Sequence, residues 1–160
     1  MPPPPMPQEP FLIEHTQRLL RSFRHWTGRP LIPDAGPESG TPEEMAERLY
    51  QHHAVVLSHG TQADPILNYG NAAALRLWEM TWEIFTMTPS RITAEPVALE
   101  DRARLLAEAA QHGYLDRYRG VRISRSGRRF VIEGAIVWTV LDERDGVIGQ
   151  AAVFDRWTYL

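Results

Sequence analysis

The segment His59-Gly-Thr-Gln-Ala-Asp64 places an imidazole and a carboxylate five residues apart. Brought together in space, such a pair does general-base chemistry, because a carboxylate orients an imidazole and stabilises its protonated form. The competing reading is local. Asp64-Pro65 is turn chemistry, and a histidine at a strand end hydrogen-bonds the backbone. His52, His53 and His59 are metal-ligand types, yet adjacent helical residues point about 100° apart and match no familiar zinc spacing. The chain has no cysteine, which excludes disulfides, thiolate metal sites, iron-sulfur clusters, cysteinyl catalysis and a cysteinyl-flavin adduct. Neither haem held by one of the six histidines nor a non-covalent flavin has a motif to support it, so the cofactor stays unknown.

Two further sets of residues carry binding chemistry. Tyr69, Trp78, Trp82, Phe85, Trp138 and Phe154, with His59, Asn68 and Tyr114 as polar contacts, would line a pocket for a flat or apolar ligand if the fold gathers them. Against this stands a filled core, because aromatics at strand and helix spacing usually serve packing. All 17 basic residues are arginine, and Arg117, Arg119, Arg122, Arg125, Arg128 and Arg129 crowd one short stretch. They could bind phosphates or an acidic partner, or simply protect a sheet edge from aggregation. A net charge of −3 and a pI of about 6.1 do not suggest nucleic acid as a partner.

Elements must position these residues. Leu12, Leu19, Leu20, Phe23 and Trp26 follow helical spacing and give an amphipathic helix that Gly28 and Pro30 stop. "GRPLIPDAGPESGTP" reads as a long loop or linker, after which Thr41-Pro42-Glu43-Glu44 starts a second helix with a capping box. "AVVLS" and "ILNY" are short strands, Asn71 caps the helix "AAALRLWEM", and Thr81 caps the turn "WEIF". A longer helix runs from about Val97 to His112, with Gly113 as its C-cap. Three antiparallel strands follow, "YRGVRIS", "RRFVIEGAIVWTVLD" and "IGQAAVFDRW". In the second, period two puts Phe130, Ile132, Ile136, Trp138 and Val140 on one face. Two strands, a helical middle and a three-stranded meander predict an α+β fold. It is a five-stranded antiparallel sheet with helices on one face and a flanking N-terminal helix, the layout of a PAS domain.

The stretches "SHGTQADPILNYGNAAALRLWEMTWEIFTMTPSR", "GYLDRYRGVRISRSGRRFVIEGAIVWTVLD" and "GQAAVFDRW" resemble the MEKHLA domain family. This PAS-like group occurs as bacterial stand-alone proteins and as the C-terminal region of plant class III homeodomain-leucine-zipper proteins. The resemblance spans roughly residues 11 to 158, although the literal string MEKHLA is absent and no homeodomain or zipper is present, so DNA binding does not transfer. It implies a non-enzymatic sensory or regulatory module that binds a small ligand, a protein partner acting in trans, or both. The alternatives are a small isomerase- or dehydratase-like pocket enzyme using His59 and Asp64, and an adaptor using the arginine-rich hairpin. The expected organisation is a disordered Pro-rich tail over 1–10, a flanking helix over 11–27, a linker over 28–41 and the PAS-like domain over 42–160. The apolar face of Leu12, Leu19, Leu20, Phe23 and Trp26 must be buried, either by folding back on the chain's own sheet or, as flanking helices of PAS-like proteins commonly do, across a homodimer interface. No secretory leader or membrane-length apolar run is read from the sequence, which makes the cytoplasm the expected location.

Overall fold

A computed structural model describes residues 9–33, 40–95 and 99–160. Most of the expected Pro-rich tail, the middle of the linker and the first residues expected of the long helix lie outside the described residues.

The helices start and stop where the side chains dictate. Helix α1, Pro10–Thr27, has proline at its first positions and ends on Gly28, whose φ of 73° is the left-handed conformation that favours glycine. Helix α2, Pro42–Tyr50, is capped by Thr41, whose hydroxyl accepts from Glu44 N at 3.1 Å and donates to the Glu44 carboxylate at 3.2 Å. Strands β1, Val55–His59, and β2, Leu67–Gly70, lead into α3, Ala72–Trp78, and α4, Trp82–Phe85. A 3-10 turn, Ser90–Thr93, and α5, Leu99–His112, complete the helical middle. Strands β3, Tyr114–Ile123, β4, Arg129–Leu141, and β5, Val147–Phe154, form the meander.

Asn71 joins the two halves of this plan. Its Oδ1 accepts from Ala74 N, capping α3, and from Val56 N on β1, both at 3.1 Å. Its Nδ2 donates to Ala54 O at 2.8 Å and Leu49 O at 3.2 Å. The side chain is fully buried, so these four bonds satisfy groups that water cannot reach.

The sheet is antiparallel in the order β2-β1-β5-β4-β3. A sixth strand, β6, Arg156–Tyr159, goes beyond the five expected. It pairs with the first half of β4, while β5 pairs with the second half. Helices α3 and α4 cover one face together with α5, and α1 and α2 cover the other, giving two cores.

The period-two reading of β4 is corrected here. Gly134 takes a φ of 67°, and between the pairs Tyr118–Ala135 and Gly120–Ile132 β4 carries one extra residue. Such a bulge flips every later side chain. Phe130 and Ile132 therefore enter the core under α3, whereas Ile136, Trp138 and Val140 face α1. A register shift between Ser58 and His59 does the same on β2, sending Leu67 to one core and Tyr69 to the other.

The flanking helix folds back on the chain's own sheet. Leu12, Leu19 and Phe23 are buried against the chain's own Trp138, Val140 and Tyr69, with Leu20 and Trp26 partly buried beside them. Phe23 meets Trp138 edge-on at 4.9 Å between ring centres, and Trp26 Nε1 donates to Thr139 O at 2.8 Å. The apolar face of the helix is thus covered by the sheet.

Candidate functional site

Between the sheet and the α3 side of the molecule lies a cavity of about 50 Å3. Leu57 and His59 of β1, Leu67 of β2, Trp78 of α3, Tyr118 and Arg122 of β3, Ile132 and Val137 of β4, and Gln150, Ala152 and Phe154 of β5 line it. Ser90 and Thr93 come from the segment 89–94, which crosses this face. That segment is tied at one end by a bridge between Ile66 and Pro89 and at the other by a bridge between Ala94 and Arg122. A single water needs ~10–15 Å3 of such space and cofactor sites run to ~300 Å3 or more, so a guest here is a few heavy atoms. A porphyrin or an isoalloxazine does not fit these walls.

The polar end of the cavity is built on β3. Tyr118, Gly120 and Arg122 alternate along the strand and so share a face. A side chain at Gly120 would come within 2.9 Å of Arg122 Nη1 and 3.0 Å of the Tyr118 hydroxyl, so its absence makes the room these two groups use. Arg122 is only 7% exposed. Its Nη1 donates to Val121 O at 2.9 Å, its Nη2 donates to the Tyr118 hydroxyl at 2.8 Å, and the guanidinium carbon lies 5.2 Å from the Tyr118 ring centre. On α3, Trp78 packs edge-on against Phe85, Phe130 and Phe154, and its buried Nε1–H has no hydrogen-bond acceptor.

Of the nine residues expected to surround one pocket, His59, Trp78 and Phe154 line this cavity. Phe85 lies on the same side but packs behind Trp78. Tyr69, Trp82, Tyr114 and Trp138 are separated from it by the sheet and belong to the core under α1. Asn68 also points elsewhere, accepting from the Ser58 hydroxyl at 2.5 Å, and Ser58 Oγ in turn lies 2.9 Å from Nε2 of the buried His15. The single aromatic pocket is therefore corrected to two aromatic clusters, because the bulges in β2 and β4 divide the set. Tyr118, Arg122, Ser90, Thr93 and Gln150 are the wall residues that sequence reasoning missed. The alternation of tyrosine, glycine and arginine at 118, 120 and 122 was the available signal.

The arginine stretch is not one surface. Arg122 is internal. Arg119 pairs with Glu133 at 3.4 Å, Arg129 makes a two-pronged ion pair with Glu95, and Arg128 stacks 3.4 Å over the Tyr159 ring. Arg117 and Arg125 are exposed. The hairpin tip is held down as well. Glu79 Oε1 accepts from Ser126 N at 3.0 Å and the Ser124 hydroxyl at 2.9 Å, hydrogen bonds from Ser126 and then Ser124 lower the Glu79 pKa, and Arg125 N donates to Trp78 O.

The His59 and Asp64 pair is likewise divided. Both Asp64 oxygens accept from Arg91 Nε at 3.2 Å at the surface, and His59 Nδ1 lies 2.9 Å from Gly60 O. Asp64 is committed to Arg91, and the imidazole meets the backbone as a strand-end histidine does. The His52 and His53 rings meet at a tilt of 56° with their centres 4.5 Å apart, and no metal-holding group of three or more histidines and carboxylates occurs among the described residues. No helix among them is long and apolar enough to cross a membrane.

Solved structures share this architecture. A PAS domain from Colwellia psychrerythraea superposes with a TM-score of 0.63 at 13% identity, covering 74% of this chain and 95% of that one. An RNA-binding light-oxygen-voltage receptor gives 0.61 at 16% identity, covering 80% of this chain and 36% of that one. Among curated proteins, the chain is 24% identical over 157 residues to homeobox-leucine zipper protein ATHB-9 of Arabidopsis thaliana, and 25% identical over 144 residues to HOX32 of Oryza sativa subsp. japonica. It covers 97% and 88% of this chain in the two matches but only 18% and 16% of those proteins, so the chain spans less than a fifth of the relatives it matches. The MEKHLA domain model matches residues 13–159, nearly the whole sequence. The PAS-type sheet order, the helical middle between β2 and β3 and this match agree: the chain belongs to the MEKHLA domain family.

Proposed function

We propose that this PAS-like MEKHLA domain is a sensory module whose cavity takes a small molecule and whose occupancy is passed to a protein partner. The observation that carries the reading is the position of the cavity. Its walls come from all five main strands, from α3 and from the segment 89–94, so an occupant contacts most elements of the fold at once. Strand β1 offers a route outward. Leu57 and His59 line the cavity, while the hydroxyl of Ser58 between them meets His15 of α1. A ligand shifts such an arrangement only by binding its alternative packings unequally, and a cavity bounded by several elements supplies that difference.

Native mass spectrometry of the purified chain beside Ala152→Leu tests this, because the added side chain fills the cavity. Extra mass or ligand-induced stabilisation in the wild type that the folded variant lacks supports the reading. Equal behaviour of the two across a small-molecule panel overturns it.

A further inference from the structure

We infer that the ligand of this cavity is a small carboxylate, held by Arg122 and Trp78. The inference rests on the cavity being a ligand site and goes on to name the chemistry that fits it. Arg122 brings a permanent positive charge into the interior, where its two hydrogen bonds go to neutral oxygens, a backbone carbonyl and a phenol. Among the described residues, Arg18, Arg21, Arg91, Arg104, Arg119 and Arg129 each find a carboxylate within 4.0 Å, and Arg122 does not. A guanidinium carries five N–H donors. Burying its charge without an opposite charge is costly, and a bound anion removes that cost.

Trp78 points to the same chemistry independently. Trp78 lines the same cavity, and its buried indole N–H has no acceptor. Both mismatches are surplus donors, and one carries charge. The matching guest is therefore an acceptor without donors, and it is anionic. A planar carboxylate suits the guanidinium fork, which binds it through two parallel hydrogen bonds. The rest of the lining is apolar, with Leu57, Leu67, Ile132, Val137 and Phe154, and it suits a short hydrocarbon tail better than a hydrated inorganic anion. The size of about 50 Å3 limits that tail to a few carbons.

Thermal-shift and calorimetric titrations with sodium propionate, propionamide and sodium phosphate test the assignment, using wild type, Arg122→Met, Trp78→Phe and Ala152→Leu. The expected result is saturable stabilisation of the wild type by propionate and none by propionamide. Affinity should fall about tenfold or more in Arg122→Met and by a smaller factor in Trp78→Phe, which keeps the aromatic packing. Without ligand, Arg122→Met should melt at the wild-type temperature or above it, because an uncompensated buried charge is gone. Should Arg122→Met fail to fold, Trp78→Phe carries the test. Propionamide binding as well as propionate, or phosphate binding better, overturns the carboxylate while leaving a small-molecule site. No binding by any probe, with Ala152→Leu as stable as the wild type or more so, overturns both the carboxylate and the ligand site.

Discussion

Mild acid should loosen α1 from the sheet through one residue, His15. Its ring is 3% exposed, stacks on Phe11 at 5.2 Å and lies 5.7 Å from the Tyr69 ring. The single Ser58 hydroxyl proton goes to Asn68 Oδ1, so His15 Nε2 must donate to Ser58 Oγ, which fixes the neutral Nε2–H tautomer. Burial, assisted by the Arg18 charge, pulls the pKa from 6.5 to about 4. Between those two values the unfolded chain binds a proton that the folded chain refuses. Stability is therefore intact above pH 6.5, declines as the pH falls from 6.5 to about 4, and levels off below. A displacement of about 2.5 units at 1.36 kcal/mol per unit amounts to ~3 kcal/mol, of which ~2 kcal/mol is lost by about pH 5. His52, also lowered chiefly by burial, acts in the same direction, whereas the lowered carboxylates Glu79, Asp142 and Glu143 lose their contributions only below about pH 4.5. Urea unfolding followed by tryptophan fluorescence, at about pH 7.5 and about pH 5, separates these effects if wild type is compared with His15→Gln. The variant keeps a donor for Ser58 but cannot titrate. Wild type should lose ~2 kcal/mol more than the variant between the two conditions. Equal losses, or a His15 ring that titrates near pH 6.5 by NMR in the folded protein, would refute the reasoning.

Asn71→Ala strands two buried N–H groups and two buried carbonyls and should cost ~4 kcal/mol in denaturant unfolding; a loss below ~1 kcal/mol would mean water replaces the side chain. Leu19, fully buried between α1 and the sheet, should cost ~3 kcal/mol as Leu19→Ala, in a single transition. An early separate transition for α1 would show that the helix is not part of the cooperative unit. Gly113→Ala should lower the melting temperature strongly, because Gly113 has a φ of 94° and an added Cβ would lie 2.2 Å from the Trp26 ring. A melting temperature within a degree or two of wild type would show that Trp26 moves aside freely.

The elements were legible because short-range chemistry fixes them. Asn71, Thr41 and Thr81 cap the helices they were expected to cap, and the strand order follows from a helical middle flanked by two strands and a meander. What resisted reading was the face each side chain takes. Parity along β4 assigns Phe130 and Trp138 together, but one left-handed residue at Gly134 reverses it, and the sequence marks that glycine no differently from Gly120 or Gly149 in neighbouring strands. Arg122 was hidden for a related reason. Among six arginines near a hairpin the one that turns inward is selected by the space over Gly120 and the hydroxyl of Tyr118, which are cross-residue relations rather than properties of arginine.

Those bulges bear on the proposed function as well as on register. By turning part of β2 and β4 over, they place large aromatics on both faces of one sheet. Trp138 and Tyr69 fill the α1 side, while Trp78, Phe130 and Phe154 fill the α3 side. A ligand that adds volume on the α3 side presses on strands whose reverse face is already packed against α1, and well-packed interiors transmit strain rather than absorb it. The α1 side is held by a hydrogen bond from a buried neutral histidine to Ser58, one from Leu141 N to the Ser22 hydroxyl at 2.8 Å, and one from Trp26 to Thr139 O. Polar contacts of this kind are sensitive to displacements of a few tenths of an ångström, whereas the apolar contacts of Leu12, Leu19 and Phe23 tolerate them better. The helix is thus attached by direction-sensitive bonds to the strands that line the cavity. A PAS-like sheet carrying a signal from its ligand face to a partner would be expected to show that arrangement.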